Sequence, residues 1–234
     1  MTTTPPRRSY RYYDLIMASF VCVLLCANLI GTSKVAEVSL FGKNIRFGAG
    51  NLFFPLSYLF GDILTEVYGY ARSRKVVWAG FISLAFASLM SWVVVHLPPA
   101  HGWGGQEIVE KAFGSTWRIA LASLVGYFFG EFANSFTLAK MKVVTHGKYL
   151  WTRTIGSTIA GELCDTLVFY PLAFFGVWSN EVLVSVMMAN YCIKVGWEVV
   201  ATPITYRVVA ALKRVEHEDF YDTETKFTPF SLDT

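Results

Sequence analysis

The sequence predicts an all-α polytopic membrane protein with six transmembrane helices. Hydrophobic residues make up 54% of the 234-residue chain and charged residues only 16%, whereas soluble domains carry about 25% charged residues. Apolar stretches of about 20 residues, the length that crosses a bilayer, recur along the chain. The net charge of +3 is too small to indicate a nucleic-acid partner. The apolar composition and these long apolar stretches indicate the lipid bilayer as the partner. The predicted spans are roughly residues 14–33, 50–70, 76–97, 116–139, 155–177 and 182–208.

The first span follows a basic N-terminal segment without a small-residue cleavage site between them, so we interpret it as a retained helix and not as a signal peptide. The segment Lys34–Gly50 alternates and contains glycines, which predicts a short hairpin or a loop. Paired prolines open a polar loop at Pro98–Gly114. Residues 1–215 are thus predicted to form the six-helix transmembrane domain. Residues 216–234 are predicted to form a polar cytoplasmic tail that lies loosely on the surface.

Lysine and arginine concentrate on one side of this predicted topology. Cytoplasmic loops of membrane proteins carry the excess of positive charge, so both termini are predicted to face the cytoplasm. The first loop on the opposite side holds Lys34, Lys43 and Arg46, which counts against this orientation. The basic residues of the predicted cytoplasmic side are Arg7, Arg8, Arg11, Arg72, Arg74, Lys75, Lys140, Lys142, Lys148, Arg153, Arg207, Lys213 and Arg214.

Two spans carry similar acidic blocks. The second span contains GDILTE at residues 61–66 and the fifth contains GELCD at 161–165; both read glycine, acid, aliphatic residue and a second acid about one turn later. Six spans divide into two halves of three with opposite topology, and inverted repeats with a site at midplane recur among transporters. The fourth span repeats part of the block at 130–131, and short matches among apolar helices arise by chance. A 3+3 inverted repeat and a chance match therefore both stay open.

Six ionisable side chains fall inside the predicted spans, where a bilayer tolerates them poorly. At a helical rise of about 1.5 Å per residue, they lie about 13–20 Å from the basic helix ends, in a core about 30 Å thick. Each would cost about 3 kcal/mol facing lipid, and the total of about 18 kcal/mol exceeds the roughly 5–15 kcal/mol that holds a domain folded. We therefore expect six side chains to face one another, water or a ligand: Asp62, Glu131, Glu162, Asp165, Lys194 and Glu198.

Carboxamide and aromatic residues share helical stripes with these ionisable groups. An acid-rich set with one base suits a flat, polar, mostly neutral solute, because a carboxylate accepts two neighbouring N–H groups of a guanine-type edge and rings stack on its face. Spare carboxylates could carry protons and couple movement of the solute to a gradient. The candidate substrate-binding residues are Asn51, Asp62, Glu66, Glu131, Asn134, Glu162, Asp165, Phe169, Asn190, Lys194, Trp197 and Glu198.

Some of these residues also have structural interpretations. Glu66 lies six residues before Arg72, so it could sit among the headgroups. Lys194 and Glu198 are four residues apart and could form an ion pair with each other. Asn28 on the first span could form a helix–helix hydrogen bond or contact a ligand.

The sequence predicts neither an enzyme nor a metal or cofactor site. It contains no HExxH or GxSxG motif. Its four cysteines lie in apolar stretches without CxxC or Cys/His ligand spacing, so disulfides and zinc are not expected.

Three blocks resemble the signature blocks of the queuosine precursor transporter family, also called the vitamin uptake transporter family. They are FPLSYLFGDILTEVYG at Phe54–Gly69, GELCDTLVFYPLAFFG at Gly161–Gly176 and IKVGWEVVATPITYRVVAALK at Ile193–Lys213, and Phe227–Phe230 is similar to the family's usual ending. The resemblance implies a six-span bacterial inner-membrane protein that imports 7-deazaguanine precursors (preQ0 and preQ1) of the tRNA base queuosine. Many relatives have Gln at the position of Glu162, which leaves the role of this carboxylate open. The resemblance carries function onto Asp62, Glu66, Glu162, Asp165, Lys194 and Glu198.

The resulting hypothesis is a carrier that binds a deazaguanine between its halves. Asp62, Glu162 and Asp165 would hold the base edge, with help from Asn51 and Asn134. Lys194 would either pair with Glu198 or donate to the carbonyl oxygen, and Trp197 or Phe169 would stack. The rival hypothesis is a substrate-binding subunit of a vitamin importer that needs a separate energising partner. The preferred deazaguanine, the coupling ion and the oligomeric state stay open.

Overall fold

The computed structural model describes residues 10–31, 34–40, 43–114 and 117–231. Over these ranges the chain forms six long helices, one short helix and one β-hairpin. The hairpin confirms the prediction for the segment after the first helix, with Val35 paired to Gly48 and Leu40 to Lys43. The elements are α1 (Tyr13–Leu25, extended by a π-helical turn at Cys26–Ile30), β1 (Val35–Leu40), β2 (Lys43–Gly48), a 3-10 turn (Ala49–Leu52), α2 (Phe54–Tyr68), α3 (Tyr70–His96), α4 (Gln106–Phe113), α5 (Trp117–Val144), α6 (Leu150–Phe174) and α7 (Asn180–Glu216).

The chain is a polytopic membrane protein. In the part that the structure describes, four stretches are long and apolar enough to cross a membrane: Tyr13–Ile30, Tyr70–His96, Gln106–Val144 and Asn180–Glu216. Large apolar side chains on these helices are exposed, among them Phe86 on α3 and Val200 on α7, as lipid-facing surfaces require. The helical membrane class is therefore confirmed.

The predicted second and fifth spans differ from the other four. The second corresponds to α2, which has 15 residues and is about 22 Å long, less than the hydrocarbon thickness of about 30 Å. The fifth corresponds to α6, which is long enough at 25 residues but carries Arg153, Glu162 and Asp165. Six crossings, cytoplasmic termini and an inverted repeat remain predictions.

Helix α2 is the internal element of the fold. Eleven of its fifteen residues are buried, and α1, α3, α5 and α7 pack against it. A proline in its first turn, Pro55, needs no backbone N–H partner there. The helix stops at Gly69, whose φ of 85° is the left-handed conformation that glycine adopts readily. Because α3 starts at the next residue, its first turns contain Arg72, Arg74 and Lys75, which were predicted to lie in a loop.

Glycines let α5 and α6 approach closely. A Cβ on Gly130 of α5 would lie 3.0 Å from the Cβ of Asp165, and a Cβ on Gly161 of α6 would lie 2.8 Å from the Cβ of Asn134. Small residues at such crossings bring helix backbones together in membranes. The close approach places polar residues of both helices beside α2.

The segment after α7 is docked, which differs from the loose tail that the sequence predicts. Arg74 Nη1 donates to the carbonyl oxygens of Lys226 at 3.0 Å and Thr228 at 2.7 Å. Trp78 Nε1 donates to the carbonyl of Pro229 at 2.7 Å. The buried carboxylate of Asp222 accepts from the backbone N–H of Tyr70 at 3.0 and 3.1 Å. The tail therefore satisfies buried donors at the start of α3.

Candidate functional site

A cavity of about 160 Å³, lined by both apolar and polar side chains, lies among α1, α2, α5, α6 and α7, and we call it the chamber. Its volume is similar to that of an engineered cavity of about 150 Å³ that binds one benzene molecule. The chamber is therefore on the scale of a small aromatic ring. The lining residues are Leu24, Asn28, Gly31, Gly50, Phe54, Ser57, Tyr58, Ile119, Ser123, Tyr127, Glu131, Asp165, Phe169, Tyr170 and Lys194.

Lys194 of α7 is the cation of the chamber. Its Nζ lies 2.8 Å from Glu162 Oε2 and 3.0 Å from Asp165 Oδ2, both on α6. The ammonium also lies 5.0 Å from the centroid of the Phe54 ring, within the range of a cation–π contact. Lys194 therefore pairs across to α6, and the interpretation in which it pairs with Glu198 is wrong. The hydroxyl of Tyr58 lies close enough to Glu162 to interact with its carboxylate.

Glu131 of α5 is the carboxyl group in the chamber that has an open hydrogen-bonding position. The residue is 1% exposed, and its Oε2 has no hydrogen-bond partner among the described residues. It lies close enough to Glu162, Asp165 and Lys194 to interact with their charges. Buried polar atoms almost always have a partner, so Oε2 is an acceptor that a ligand with N–H groups would satisfy.

Asp62 of α2 and Glu198 of α7, which we call the acid pair, lie outside the chamber lining. Asp62 is 0% and Glu198 1% exposed, and their charges interact. Asn134 Nδ2 donates to Asp62 Oδ1 at 2.8 Å, and the predicted help of Asn134 in holding a base edge stays a prediction. Within the described ranges, no three His, Cys, Asp or Glu side chains come together as metal ligands.

Glu66 lies in a separate cluster of charges, away from the chamber lining, and is 0% exposed. Its carboxylate accepts from Arg153 Nε at 2.7 Å and Nη2 at 2.8 Å and from Lys213 Nζ at 2.5 Å. Lys142 Nζ lies 3.6 Å away and donates to the Glu66 carbonyl oxygen at 2.6 Å. Asp219 of the tail joins Lys142 at 2.6 Å and Lys213 at 2.8 Å. We call these five residues the end cluster, and they connect α2, α5, α6, α7 and the tail.

The pKa of Asp219 reflects this cluster. Partial burial alone would raise the pKa, but hydrogen bonds from Lys142 and Lys213 and the charges of both lysines outweigh burial and hold the pKa below its ordinary value. Asp219 is therefore ionised at neutral pH, so the cluster keeps a second acid beside Glu66.

Three sequence candidates lie elsewhere. Trp197 is 42% exposed. Lys194 and Glu198 lie on the inward face of α7, and Trp197 is about 100° away from Glu198 around the helix axis. Asn190 Nδ2 donates to the carbonyl of Val186 at 3.0 Å on its own helix and is not part of the chamber lining. The side chain of Asn51 lies outside the described part of the chain; its backbone is in the 3-10 turn.

The chamber also contains residues that the sequence hypothesis did not select. Tyr58 lies one turn before Asp62 on the same stripe of α2, so its position was a usable signal. Phe54 is a further turn before Tyr58, and Tyr170 directly follows Phe169 without any periodic signal. Asn28 lines the chamber while its Nδ2 donates to the Leu24 carbonyl at 2.9 Å. The sequence left a helix–helix hydrogen bond and a ligand contact open for Asn28, and the structure places the residue at the chamber wall.

A larger cavity of about 750 Å³ adjoins the chamber, and we call it the vestibule. The two cavities share Asn28, Ile119 and Ser123 in their linings. The vestibule extends past the end of α3 at His96 to Glu110 on α4. The chamber is thus adjacent to open space at one end, while the end cluster and the docked tail occupy other helix ends.

The chain is similar to known transporters over most of its length. The model of a family described as "Putative vitamin uptake transporter" matches residues 48–208. A Bacillus subtilis (strain 168) protein named "Probable queuosine precursor transporter" is 30% identical over 196 residues, which cover 83% of this chain and 82% of that protein. The Escherichia coli (strain K12) "Queuosine precursor transporter" is 26% identical over 161 residues, or 68% of this chain and 69% of the relative. No solved structure matches the chain significantly.

Proposed function

Because this chain belongs to the vitamin uptake transporter family, we propose that it imports 7-deazaguanine precursors of queuosine across a bacterial inner membrane. The proposed substrates are 7-cyano-7-deazaguanine (preQ0) and 7-aminomethyl-7-deazaguanine (preQ1), which serve tRNA modification. That the protein is a membrane transporter and not an enzyme follows from its family. The substrate and its binding mode are the proposal.

The observation that carries the binding mode is the unpartnered carboxylate of Glu131 beside Lys194 in a ring-sized chamber. A guanine-type edge presents two adjacent N–H donors and one carbonyl oxygen. Glu131 would accept from the donors, and Lys194 would donate to the carbonyl. Charge-assisted hydrogen bonds of this kind are the stronger ones in proteins.

Aromatic side chains supply the apolar part of the proposed site. Phe54, Phe169 and Tyr170 line the chamber, and a flat heterocycle gains from stacking on such rings. Phe169 takes the stacking role that the sequence hypothesis gave to either Phe169 or Trp197. Trp197 is left out because it is exposed.

The proposed edge contact differs from the one expected from sequence. Asp62 is not part of the chamber lining, and Glu162 is already ion-paired with Lys194. Asp165 lines the chamber and shares Lys194, so it would set the position of the ammonium. Glu131 lines this space, and its buried Oε2 has no hydrogen-bond partner among the described residues.

An importer must receive substrate from outside. Under the predicted orientation, the basic end cluster and the tail are on the cytoplasmic side, and the vestibule is on the outer side. The adjacency of vestibule and chamber supports entry from that side. Closure of the cytoplasmic side by packed charges fits a state that awaits substrate.

Equilibrium binding to the purified protein in detergent tests the site. Glu131→Gln should weaken preQ0 and preQ1 binding about 10- to 100-fold, because a hydrogen bond to a charged group contributes about 1.5–3 kcal/mol. This substitution breaks no ion pair, whereas Lys194→Met would leave two carboxylates without their cation. Glu107→Gln is the matched control, since Glu107 belongs to an exposed pair with Lys111 on α4.

The ligand series tests the substrate class. The 7-deazaguanines should bind, and adenine and the 7-deaza analogue without the 2-amino group should bind at least about tenfold more weakly, since each leaves Glu131 with an unmet hydrogen bond. Equal binding of all purines, or wild-type affinity in Glu131→Gln, would contradict the proposal.

Uptake into liposomes separates a self-sufficient carrier from a binding subunit. If the purified chain alone carries labelled preQ0 across the bilayer, no energising partner is needed. Binding without any exchange across the bilayer would favour the rival hypothesis of a subunit that needs a separate energising protein.

A further inference from the structure

The acid pair is not used by the proposed binding mode, and its oxygens lack donors. Asp62 Oδ2, Glu198 Oε1 and Asn134 Oδ1 are buried and have no hydrogen-bond partner among the described residues. Within the described ranges, Asn134 Nδ2 donates to this group, at 2.8 Å from Asp62 Oδ1. All three open positions are acceptors, so the group needs hydrogen atoms or positive charge.

The nearby cations are engaged elsewhere. Lys194 pairs with Glu162 and Asp165. Lys142, Arg153 and Lys213 pair with Glu66 or Asp219 in the end cluster. In the described ranges, neither member of the acid pair has a salt bridge. Asp62 and Glu198 are buried on two helices that pack against each other, and their charges interact. A doubly ionised state without a cation is unfavourable for such groups, so the pair favours holding a proton.

The charged groups with the largest effect on Asp62 are all acids. They are Glu198 on α7, Glu131 on α5 and Glu66 on its own helix. The negative charges of these neighbouring acids therefore favour a bound proton on the acid pair. Loss of the proton would place a further negative charge among carboxylates.

The acid pair is also in contact with the chamber through α5. Glu131 lies in the chamber, and Asn134, three residues later, bonds to Asp62. Glu131 packs on the α2 backbone directly before Asp62, because a Cβ on Gly61 would lie 3.1 Å from Glu131 Oε2. A ligand that changes the charge or position of Glu131 therefore changes the environment of Asp62.

We propose that Asp62 and Glu198 form a proton-binding site, distinct from the substrate chamber, that couples substrate entry to co-transport of one proton. The inference rests on the transport function proposed above. A proton from water on the outer side binds a carboxylate oxygen and forms an O–H bond. The proton returns to water on the inner side, and no electron is transferred. Protonation satisfies an open acceptor and removes the repulsion within the pair.

Proteoliposomes that contain the 234-residue chain and labelled preQ0 can test this site. Because preQ0 is uncharged, the proton would be the only charge that moves with it. Counterflow at equal pH on both sides reports binding and exchange without any driving force. Accumulation is then measured under an inward gradient of about one pH unit, with the membrane potential clamped. One proton per substrate should give about tenfold accumulation, since a tenfold ratio equals the free energy of one pH unit. A luminal pH dye should report proton entry with substrate.

Asp62→Asn and Glu198→Gln remove the titrating oxygens with little change in shape. Both variants should keep counterflow but lose gradient-driven accumulation, falling from about tenfold to about one. Glu107→Gln, at an exposed pair on α4, should accumulate as the wild type does. Using both acid-pair variants keeps the test valid if one of them fails to fold.

Each outcome decides between the two claims. In one outcome the wild type shows counterflow but no accumulation under the pH gradient, and in another it accumulates substrate under a sodium gradient instead. Either result overturns the proton site and leaves the proposed function intact. Wild-type accumulation in both variants also overturns the site. Absence of both binding and counterflow in the wild type removes the proposed function and this inference together.

Discussion

Replacing Glu66 distinguishes a structural role from a role in binding. Sequence placed Glu66 among the candidate substrate ligands, whereas the structure pairs it with Arg153 and Lys213 at the end of the bundle. Glu66→Gln keeps the size of the side chain and removes its charge. We expect this variant to lose stability and to retain its ligand affinity while folded.

The magnitude follows from the charges that the substitution leaves behind. The side chains of Arg153 and Lys142 are 2% and 1% exposed, so water screens them poorly. After the change, Asp219 is the remaining acid of the end cluster, and its side chain is 46% exposed. Removing one partner of a buried ion pair costs about 3–5 kcal/mol. For a chain of this size, that loss lowers Tm by about 6–20 °C.

Thermal unfolding in detergent, followed by tryptophan fluorescence, measures this loss. Arg153→Met should cost less, because Glu66 keeps Lys213 at 2.5 Å and Lys142 at 3.6 Å. The double variant should be less destabilised than the sum of the two single variants, because the two residues interact directly. Glu107→Gln on α4 is the exposed control and should leave Tm unchanged within about 1–2 °C.

The reasoning fails if Glu66→Gln unfolds at the wild-type temperature. It also fails if the variant is stable but no longer binds preQ0 or preQ1 at temperatures well below Tm. The second result would return Glu66 to the substrate site, as the sequence blocks imply.

Further predictions concern the tail and its contacts. Arg74→Met removes the hydrogen bonds to two tail carbonyls, so it should destabilise by about 1–3 kcal/mol and speed proteolysis of the tail. The pKa of Asp219 is lowered in the folded protein. Its contribution to the free energy of unfolding is therefore complete above its ordinary pKa near 4 and is lost as the pH falls through the lower pKa of the folded state. On acidification below about pH 4, the Tm of the wild type should approach that of Asp219→Asn, which is lower at pH 7. Gly69→Ala should be more destabilising than Gly176→Ala in thermal unfolding, because both have positive φ but only Gly69 would also press its Cβ into the Phe220 ring.

The membrane class and the inward-facing acids were predictable because they depend on local properties. Apolar content and the cost of exposing a charge to lipid are visible in a single stretch of sequence. The same reasoning predicted that Asp62, Glu131, Glu162 and Glu198 would be buried, and all four are at most 1% exposed. Alternation with glycines sufficed to predict the β1–β2 hairpin as one of two alternatives.

The division of these residues into clusters was not predictable from spacing. Counting residues from a helix end gives depth, but it does not say which helices converge there. Glu66 contacts Lys142 and Arg153, and Lys142 contacts Asp219, across separations of 76 or more positions in sequence. The docking of the tail has the same cause, since Arg74 meets Thr228 at a separation of 154 residues.

Helical stripes were also too broad to identify the chamber wall. Spacings of three and four residues describe a face about 100° wide, and on α7 this face included both Trp197 and Glu198. Packing against α2 buries Glu198 and leaves Trp197 at 42% exposure. The sequence pattern therefore predicted which helices contribute to the site better than it predicted which side chains do.

The balance of charge among the three clusters indicates what each can do. The end cluster holds three cations and two acids, all joined by short contacts. The chamber has Lys194 and three acids around it, and among the described residues Glu131 Oε2 has neither a hydrogen bond nor an ion pair. The acid pair has two carboxylates and, in the described residues, no salt bridge. Fixed positive charge thus decreases from the end cluster to the acid pair, while the number of open acceptors increases. Ion pairing can hold the end cluster closed, whereas the chamber and the acid pair contain acceptors without partners among the described residues. For these acceptors we propose the substrate and a proton.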